Sequence, residues 1–305
     1  MADPVPPLVF DTTFSPDTGR ACPVLANIVR VTAPNSGAFT FTGTNTFIVG
    51  RERVAILDPG PSDARHRAAV LSAVAGRPVE AVILTHTHKD HSSGALAVSK
   101  VTGAPIWFAG PHRLSRPPHL FEMNALARDC DWGLVPDRTF SDGEVVSVGG
   151  VELTTVATPG HCANHLCYGI NGTGWLLTGD HIMGWNSTLV AVPDGSMRDY
   201  LASLSKIISM PYAHYWPAHG GPIEDGPSYA RALLAHREQR NRQIVEEVAN
   251  GASRVDQLLD RIYPALSAKL RFAAALTLKA HIEYLDAKHE IRARRGFAGL
   301  RLAPA

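Results

Sequence analysis

The chain is short of cysteine, of net charge and of long apolar runs, and each shortage removes a class of explanation. Only 4 of its 305 residues are cysteine. Cys22, Cys130, Cys162 and Cys167 form no Cys-x-x-Cys pair, so a reduced, cytoplasmic protein is the simplest expectation. A formal net charge of +1 provides no overall field to gather polyanions or hold a membrane surface. No stretch reaches the roughly 18 apolar residues of a membrane-spanning helix. The segment from Met1 to Phe10 has neither the basic start nor the apolar core of a secretory leader, and its prolines favour extended chain. Apolar residues are nevertheless plentiful at 45%, enough for one large core or two smaller ones.

What is present is a concentration of metal-binding side chains. Thr85-His86-Thr87-His88-Lys89-Asp90-His91 sets three imidazoles and a carboxylate directly after the apolar run Val79 to Leu84. Imidazole and carboxylate both bind divalent metals, and a strand running into a loop turns alternate side chains onto one point. His86 and His88 share a side of such a chain. Asp90 and His91 follow as it curls, able to face a second metal about 3.5 to 4 Å away. A lone histidine is usually a satisfied side chain; four donors in six residues are not explained that way. The same design, an apolar run, a breaker and one donor, recurs at Val156 to His161, at Leu176 to Asp180 and at Tyr215 to Gly221, which carries His219.

This pattern, with Leu57-Asp58-Pro59-Gly60 upstream, resembles the metallo-β-lactamase superfamily over residues from about 40 to 222. The resemblance implies an α+β fold, a four-layer αββα sandwich. It further implies that His86, His88 and His161 hold one metal, that Asp90, His91 and His219 hold the other, that Asp180 bridges both, and that Asp58 orients a ligand from behind. Antibiotic-cleaving members with a cysteine ligand lack the Asp90-His91 pair, so Cys162, one position past His161, is read as packing. Flavodiiron members carry glutamate where this chain has His88, which argues against iron redox chemistry. Persulfide dioxygenases share most of the motif. Two Zn2+ are therefore expected, with iron or manganese as alternatives.

Outside the metal motifs, Thr42 to Val49, His165 after Thr158-Pro159-Gly160-His161, and the tail from His236 are similar to the lactamase-beta-2-like group. Its members resemble glyoxalase II and carry a C-terminal winged helix. Residues 1–222 are thus expected to form the hydrolase domain and 223–305 a helical winged-helix-like domain.

Hydropathy patterns place the rest. Asn27 to Val31, Phe39 to Phe41, Asn45 to Val49 and Val54 to Leu57 read as a meander of short strands. Asp63 to Ala75 has helical spacing with Ser62 as its cap. Gly94 to Val101 is a helix whose positive N-terminal end favours anionic charge nearby. Strands are expected at Ala81 to Leu84, Ile106 to Phe108, Val145 to Val148, Val151 to Ala157, His165 to Ile170 and Gly174 to Leu177. Proline interrupts residues 111 to 136, leaving one short helix, Phe121 to Ala127, near the pocket mouth. Trp185, Ser187 and Thr188 are candidate pocket walls. Helices follow at Asp199 to Ile208, Tyr229 to Asn250, Val255 to Ile262 and Leu270 to Ala287, with Arg294-Arg295-Gly296-Phe297 as the turn of a wing.

Between Lys269 and Arg301 eight basic residues stand against three acidic ones. This patch is compatible with holding phosphates, although a solvated helical face packing its other side on the hydrolase domain is the preferred reading.

The expected activity is that of a zinc-dependent hydrolase in which a metal-bridging hydroxide attacks an ester, thioester, lactone or lactam, with Asp90 and Asp180 as catalytic carboxylates and no covalent intermediate. The resemblance also brings metal-dependent endoribonuclease action on single-stranded RNA into view. A third reading is a nucleic-acid-binding regulator acting through the winged helix. A small-molecule substrate and no membrane partner are expected, and the sequence fixes no oligomeric state.

Overall fold

Nearly every apolar residue in the middle strands is buried, because each sheet is covered on both faces. The computed structural model describes residues 7–296 and 299–305, except the side chain of Lys269. The prolines up to residue 6 and Phe297 of the expected wing turn lie outside the described residues.

A seven-stranded sheet runs β1 (Ala21–Leu25), β2 (Ile28–Thr32), β3 (Asn45–Val49), β4 (Val54–Leu57), β5 (Val79–Ile83), β6 (Ile106–Phe108) and β7 (Arg138–Thr139) in spatial order. Pairing is antiparallel as far as β4 and parallel from β4 to β7. A five-stranded sheet faces it, in the order β12 (His214–Pro217), β11 (Trp175–Gly179), β10 (Leu166–Ile170), β9 (Val151–Ala157) and β8 (Val145–Val148).

The period of two sorts side chains between layers. Phe47, Val49, Ala55, Leu57, Ala81 and Ile83 point between the sheets, onto Leu153, Tyr168, Leu177 and Trp216. Their neighbours Ile48, Val54, Ile56 and Val82 point outward, against Val70 of α1 (Ala64–Val74) and Val98 of α3 (Ala95–Thr102). Behind the second sheet, Leu176 and Tyr215 pack on Leu204 of α4 (Met197–Ile208) and Leu233 of α5 (Gly226–Ala249). These layers make a mixed αββα sandwich. A fully buried Leu or Ile contributes roughly 1.5 to 3 kcal/mol, so interior strands this apolar set the sheet register firmly.

After residue 222 the chain is mainly helical: α5, α6 (Val255–Ile262) and α7 (Ala268–Ala287), then the hairpin β13 (Ile291–Gly296) and β14 (Gly299–Pro304). This segment has a core of its own around Val248, Leu258, Leu278 and Leu285, and shares Ala230, Leu233 and Ala280 with the sandwich.

Several expectations are corrected. Phe39 to Phe41 is a tight loop, closed by Gly37 N–H donating to Phe41 O at 3.0 Å, with Phe41 at φ 52°. The first strand is instead Ala21–Leu25. Helix α1 is capped by Asp63, whose carboxylate accepts from the backbone of Arg65 and His66, rather than by Ser62. Phe121 to Ala127 forms turns and no helix. Phe121 takes φ 62°, and the Asn124 side chain accepts from Leu126 N at 2.9 Å, a local bond that competes with helical ones.

Gly160 takes φ 140°, and a Cβ there would meet Tyr200 Cα at 2.4 Å. Gly160→Ala is therefore expected to lower unfolding free energy by about 3 kcal/mol through strain and overpacking. Urea denaturation measures this, and an unchanged midpoint would show that α4 can move away freely.

Candidate metal centre

Strands β4, β5, β9, β11 and β12 all end at one edge of the sandwich, and each ends in a site residue. Parallel pairing aligns the exits of β4 with β5 and of β11 with β12, while β9 and β11 both run antiparallel to β10. The exits deliver Asp58, His86, His161, Asp180 and His219 respectively. His88 lies just past β5, and Asp90 and His91 sit on the four-residue helix α2 (Lys89–Ser92). The two sheets are tied at this edge: Leu166 N–H donates to Thr85 O and Asn45 N–H to Ala218 O, both at 2.7 Å.

The structure brings all seven proposed ligands together. His88 Nδ1 lies 3.1 Å from His86 Nε2 and 2.8 Å from His161 Nε2. Asp180 Oδ1 lies 3.5 Å from His91 Nε2 and 3.3 Å from His219 Nε2, and Asp180 Oδ2 lies 3.5 Å from His161 Nε2. Asp90 Oδ2 is 3.3 Å from His219 Nε2. His86, His88 and His161 form one candidate cation site, and Asp90, His91 and His219 another. Asp180, with one oxygen toward each group, stands between them.

The outward nitrogen of every imidazole is already engaged. His91 Nδ1 donates to Asp58 at 2.9 Å, His161 Nδ1 to Leu189 O at 2.7 Å and His219 Nδ1 to Gly43 O at 3.2 Å. His88 Nε2 donates to Asp194 at 2.9 Å. His86 Nδ1 meets the Thr85 hydroxyl at 3.0 Å, and that hydroxyl donates in turn to Asp58 at 2.7 Å. These partners fix tautomers that leave five lone pairs pointing inward. Lone pairs facing one another repel unless a proton or a cation lies between them. His91 Nε2, His219 Nε2 and Asp180 Oδ1 are moreover buried with no hydrogen-bond partner. An orphaned donor set of imidazole and carboxylate fits divalent cations.

Electrostatics agree. Burial disfavours charge on His219 and His91, yet Asp180 and Asp90 outweigh it, lifting His219 to about 9 and His91 well above its ordinary range. Burial likewise opposes ionisation of Asp180, and His219 and His91 hold its pKa well down. His161, where burial prevails, falls to about 4. Among the described residues, Asp58, Asp90 and Asp180 have histidines as their ion-pair partners and neither lysine nor arginine. Metal binding would displace the protons these imidazoles hold.

Other residues fall into place around this group. Asp58 is fully buried and accepts from Thr85 N–H at 2.7 Å. Cys162 is buried beside Asn164, its Sγ 3.3 Å from Oδ1, and points to no ligand cluster. His165 bridges the Thr158 hydroxyl and Asp180 N–H.

Asp194 was not distinguishable in the sequence, because Pro193-Asp194-Gly195 reads as an ordinary turn. Its carboxylate spans His88 and His112, both at 2.9 Å. Gly195 permits the approach, since a Cβ there would stand 2.3 Å from Gly160 O.

A cavity of about 500 Å3 opens from the ligands and is lined by Trp185 and Ser187 as expected. Thr188 is not a wall. It is buried, with its hydroxyl donating toward the carbonyls of Asp180 at 2.8 Å and His181 at 3.0 Å, so it braces the loop from behind.

The model of the metallo-beta-lactamase superfamily matches residues 39–219, more than half of the chain and the whole span of these ligands. The chain belongs to that superfamily. An atrochrysone carboxyl ACP thioesterase from Aspergillus fumigatus is 29% identical over 272 residues, covering 83% of this chain and 78% of the relative. A beta-lactamase-like protein 2 homolog from Caenorhabditis elegans is 29% identical, covering 72% and 70%. In fold, a beta-lactamase domain protein from Burkholderia ambifaria superposes with a TM-score of 0.79 at 20% identity, covering 97% of both chains. Fold, ligand set and relatives together make this superfamily member a metal-dependent hydrolase.

Since Asp58 and Asp194 each orient an imidazole, Asp58→Asn and Asp194→Asn are each expected to weaken metal affinity by about 10- to 100-fold with the fold retained. Chelator competition measures this. Wild-type affinity in both variants would mean that the rings are held by packing alone.

Proposed function

We propose that the chain is a dinuclear zinc hydrolase of carboxylic thioesters, with esters, lactones and lactams as related substrates. The observation that carries this reading is the single cavity joining the ligand cluster to an apolar wall of Leu266, Leu270, Ala273 and Ala274. An acyl chain fits such a wall, and its carbonyl would then lie over the ligands. The thioesterase names of two relatives, one from Aspergillus fumigatus and one from Paecilomyces divaricatus, support the same class.

In this proposal His86, His88 and His161 would hold one cation and Asp90, His91 and His219 the second, with Asp180 placed to serve both. Such ions would supply Lewis acidity toward the carbonyl oxygen and lower the pKa of a coordinated water. The protein contributes position. Asp58, Asp194, Leu189 O and Gly43 O fix the imidazoles. Asp90 has its side chain 29% exposed whereas that of Asp180 is 9% exposed. It lines the cavity, and its carboxylate, held ionised by His91 and His219, could accept the proton released by the attacking water and pass it on to the departing thiolate.

The C-terminal segment, residues 223–305, acts here as the far wall of the cavity. Cleavage of RNA is the poorer reading. In the basic tail Arg271 is paired with Asp260, Lys288 with Glu290 and Arg295 with Glu122, which leaves less free charge than the composition suggests. A purely nucleic-acid-binding role gives the oriented imidazoles nothing to do.

Metal analysis with a panel of thioester, lactone, β-lactam, phosphodiester and short RNA tests the proposal. Thioester turnover is expected with about two zinc ions per chain, abolished by chelation and restored by added zinc. His88→Ala and Asp180→Ala are expected to lose both activity and metal. Turnover of RNA alone, or full thioesterase activity without metal, would refute it.

A further inference from the structure

The cavity lined by the ligands is lined also by two guanidinium groups that, among the described residues, pair with no carboxylate. Arg237 and Arg240 project from α5, one turn apart, and both line the cavity. Arg237 is only 3% exposed. It donates to Thr188 O and stacks on Tyr200, while Arg240 stacks on Tyr263 with 4.2 Å to the ring centre. The Nε atoms of both are buried without a hydrogen-bond partner, and among the described residues neither forms an ion pair. Burying the Arg237 guanidinium without a counter-ion is costly, and the half-buried Arg240 one turn away adds to that cost.

Their field shows in the neighbouring groups. His236 is pushed down to about 4 by burial and then by Arg237 and Arg240, and the fully buried His281 is pushed well down by the same causes. Around this pair both histidines are held neutral. Planar, permanently charged donors in a partly apolar cavity suit an oxyanion.

We propose that Arg237 and Arg240 form a subsite for one oxyanionic group of the substrate, a carboxylate or a phosphate, held across the cavity from the metal ligands. This rests on the hydrolase reading for its substrate. The substrate class narrows to acyl thioesters that carry an anion, either as a carboxylate on the acyl chain or as the phosphate of a phosphopantetheine-type thiol.

Two measurements on the full-length, zinc-loaded chain test it. Calorimetry with hexanoate, hexyl phosphate and hexanol requires no turnover. Wild type should bind at least one anion, and Arg240→Met should weaken that binding by tenfold or more, with Arg240→Lys intermediate because it keeps charge but loses the fork. Equal anion affinity in wild type and Arg240→Met, both folded by circular dichroism, overturns the subsite even if thioesters are cleaved. Should Arg240→Met not fold, Arg240→Lys with wild-type anion affinity and wild-type specificity overturns it.

Kinetics then identify the source. Three thioesters are compared: neutral acyl on N-acetylcysteamine, ω-carboxyacyl on N-acetylcysteamine, and neutral acyl on phosphopantetheine. A wild-type preference in kcat/KM for the second marks a carboxylate, and for the third a phosphate. In either case Arg240→Met should reduce that preference at least tenfold, mainly through KM. No preference for either anionic substrate overturns the proposal, whereas failure to cleave any thioester while anion binding persists overturns the hydrolase reading alone.

Discussion

Five imidazoles in this protein each spend one nitrogen on an acceptor behind the ring, and the geometry of the site follows from that constraint. A histidine with its outward N–H bound cannot protonate inward without becoming a cation, so its inner nitrogen presents either a lone pair or, where Asp90 and Asp180 favour the cation as at His91 and His219, a proton that a metal must displace. Collecting five such nitrogens beside Asp90 and Asp180, with no lysine or arginine among the described residues paired to those carboxylates, produces a cavity end that suits positive charge. Asp58 is central to the arrangement. One carboxylate takes the Thr85 amide, the Thr85 hydroxyl and His91. It thereby joins the exit of β5, the His86 tautomer and the second ligand group in one buried unit.

The sandwich makes this possible because its two sheets present exits at the same edge. Between them, Tyr168 donates to Leu84 O at 2.7 Å and Asn45 donates to Pro217 O and Gly220 O. These bonds cross from one sheet to the other within a few residues of the ligands. Movement of one sheet against the other would break buried hydrogen bonds, each of which is expensive to leave unmade. Ligands separated by some 130 sequence positions are thus held as rigidly as neighbours, which is what a site with small tolerance in its coordination distances requires.

How much of this could be read in the sequence depended on whether a residue announces itself chemically or acts through its surroundings. His86 to His91 and the single donors at His161, Asp180 and His219 were legible because donor density after apolar runs has few other causes. Most of the interior strands were legible as short apolar runs between breakers, whereas the edge strand Ala21–Leu25, less buried, was not. Asp194 was hidden by a turn-like context. The backbone acceptors Leu189 O and Gly43 O carry no sequence signature at all. Thr188 was misread as a wall because a hydroxyl near a pocket and a hydroxyl bracing a backbone look the same until the carbonyls of Asp180 and His181 are placed. Ser62 lost to Asp63 as the cap of α1 by one position, within the ordinary blur of helix ends. Phe121 to Ala127 failed as a helix because the side chains of Asn124 and Glu122 offer the backbone better partners, Glu122 accepting from His119 N at 2.9 Å.

The C-terminal helices enter the argument through Thr188. Its carbonyl accepts from Arg237 on α5, and its hydroxyl reaches the carbonyl of Asp180. Two bonds therefore connect a helix of the C-terminal segment to the backbone of Asp180, the residue between the two ligand groups. The same helix covers Tyr215 and Leu176 of the second sheet and supplies the guanidiniums of the cavity wall. A loosely tethered appendage would share neither core nor cavity with the sandwich. Here Arg237, which holds the loop behind Asp180 through Thr188, and Arg240 of the cavity wall lie on one helix, so a shift of α5 would move that wall and that brace together.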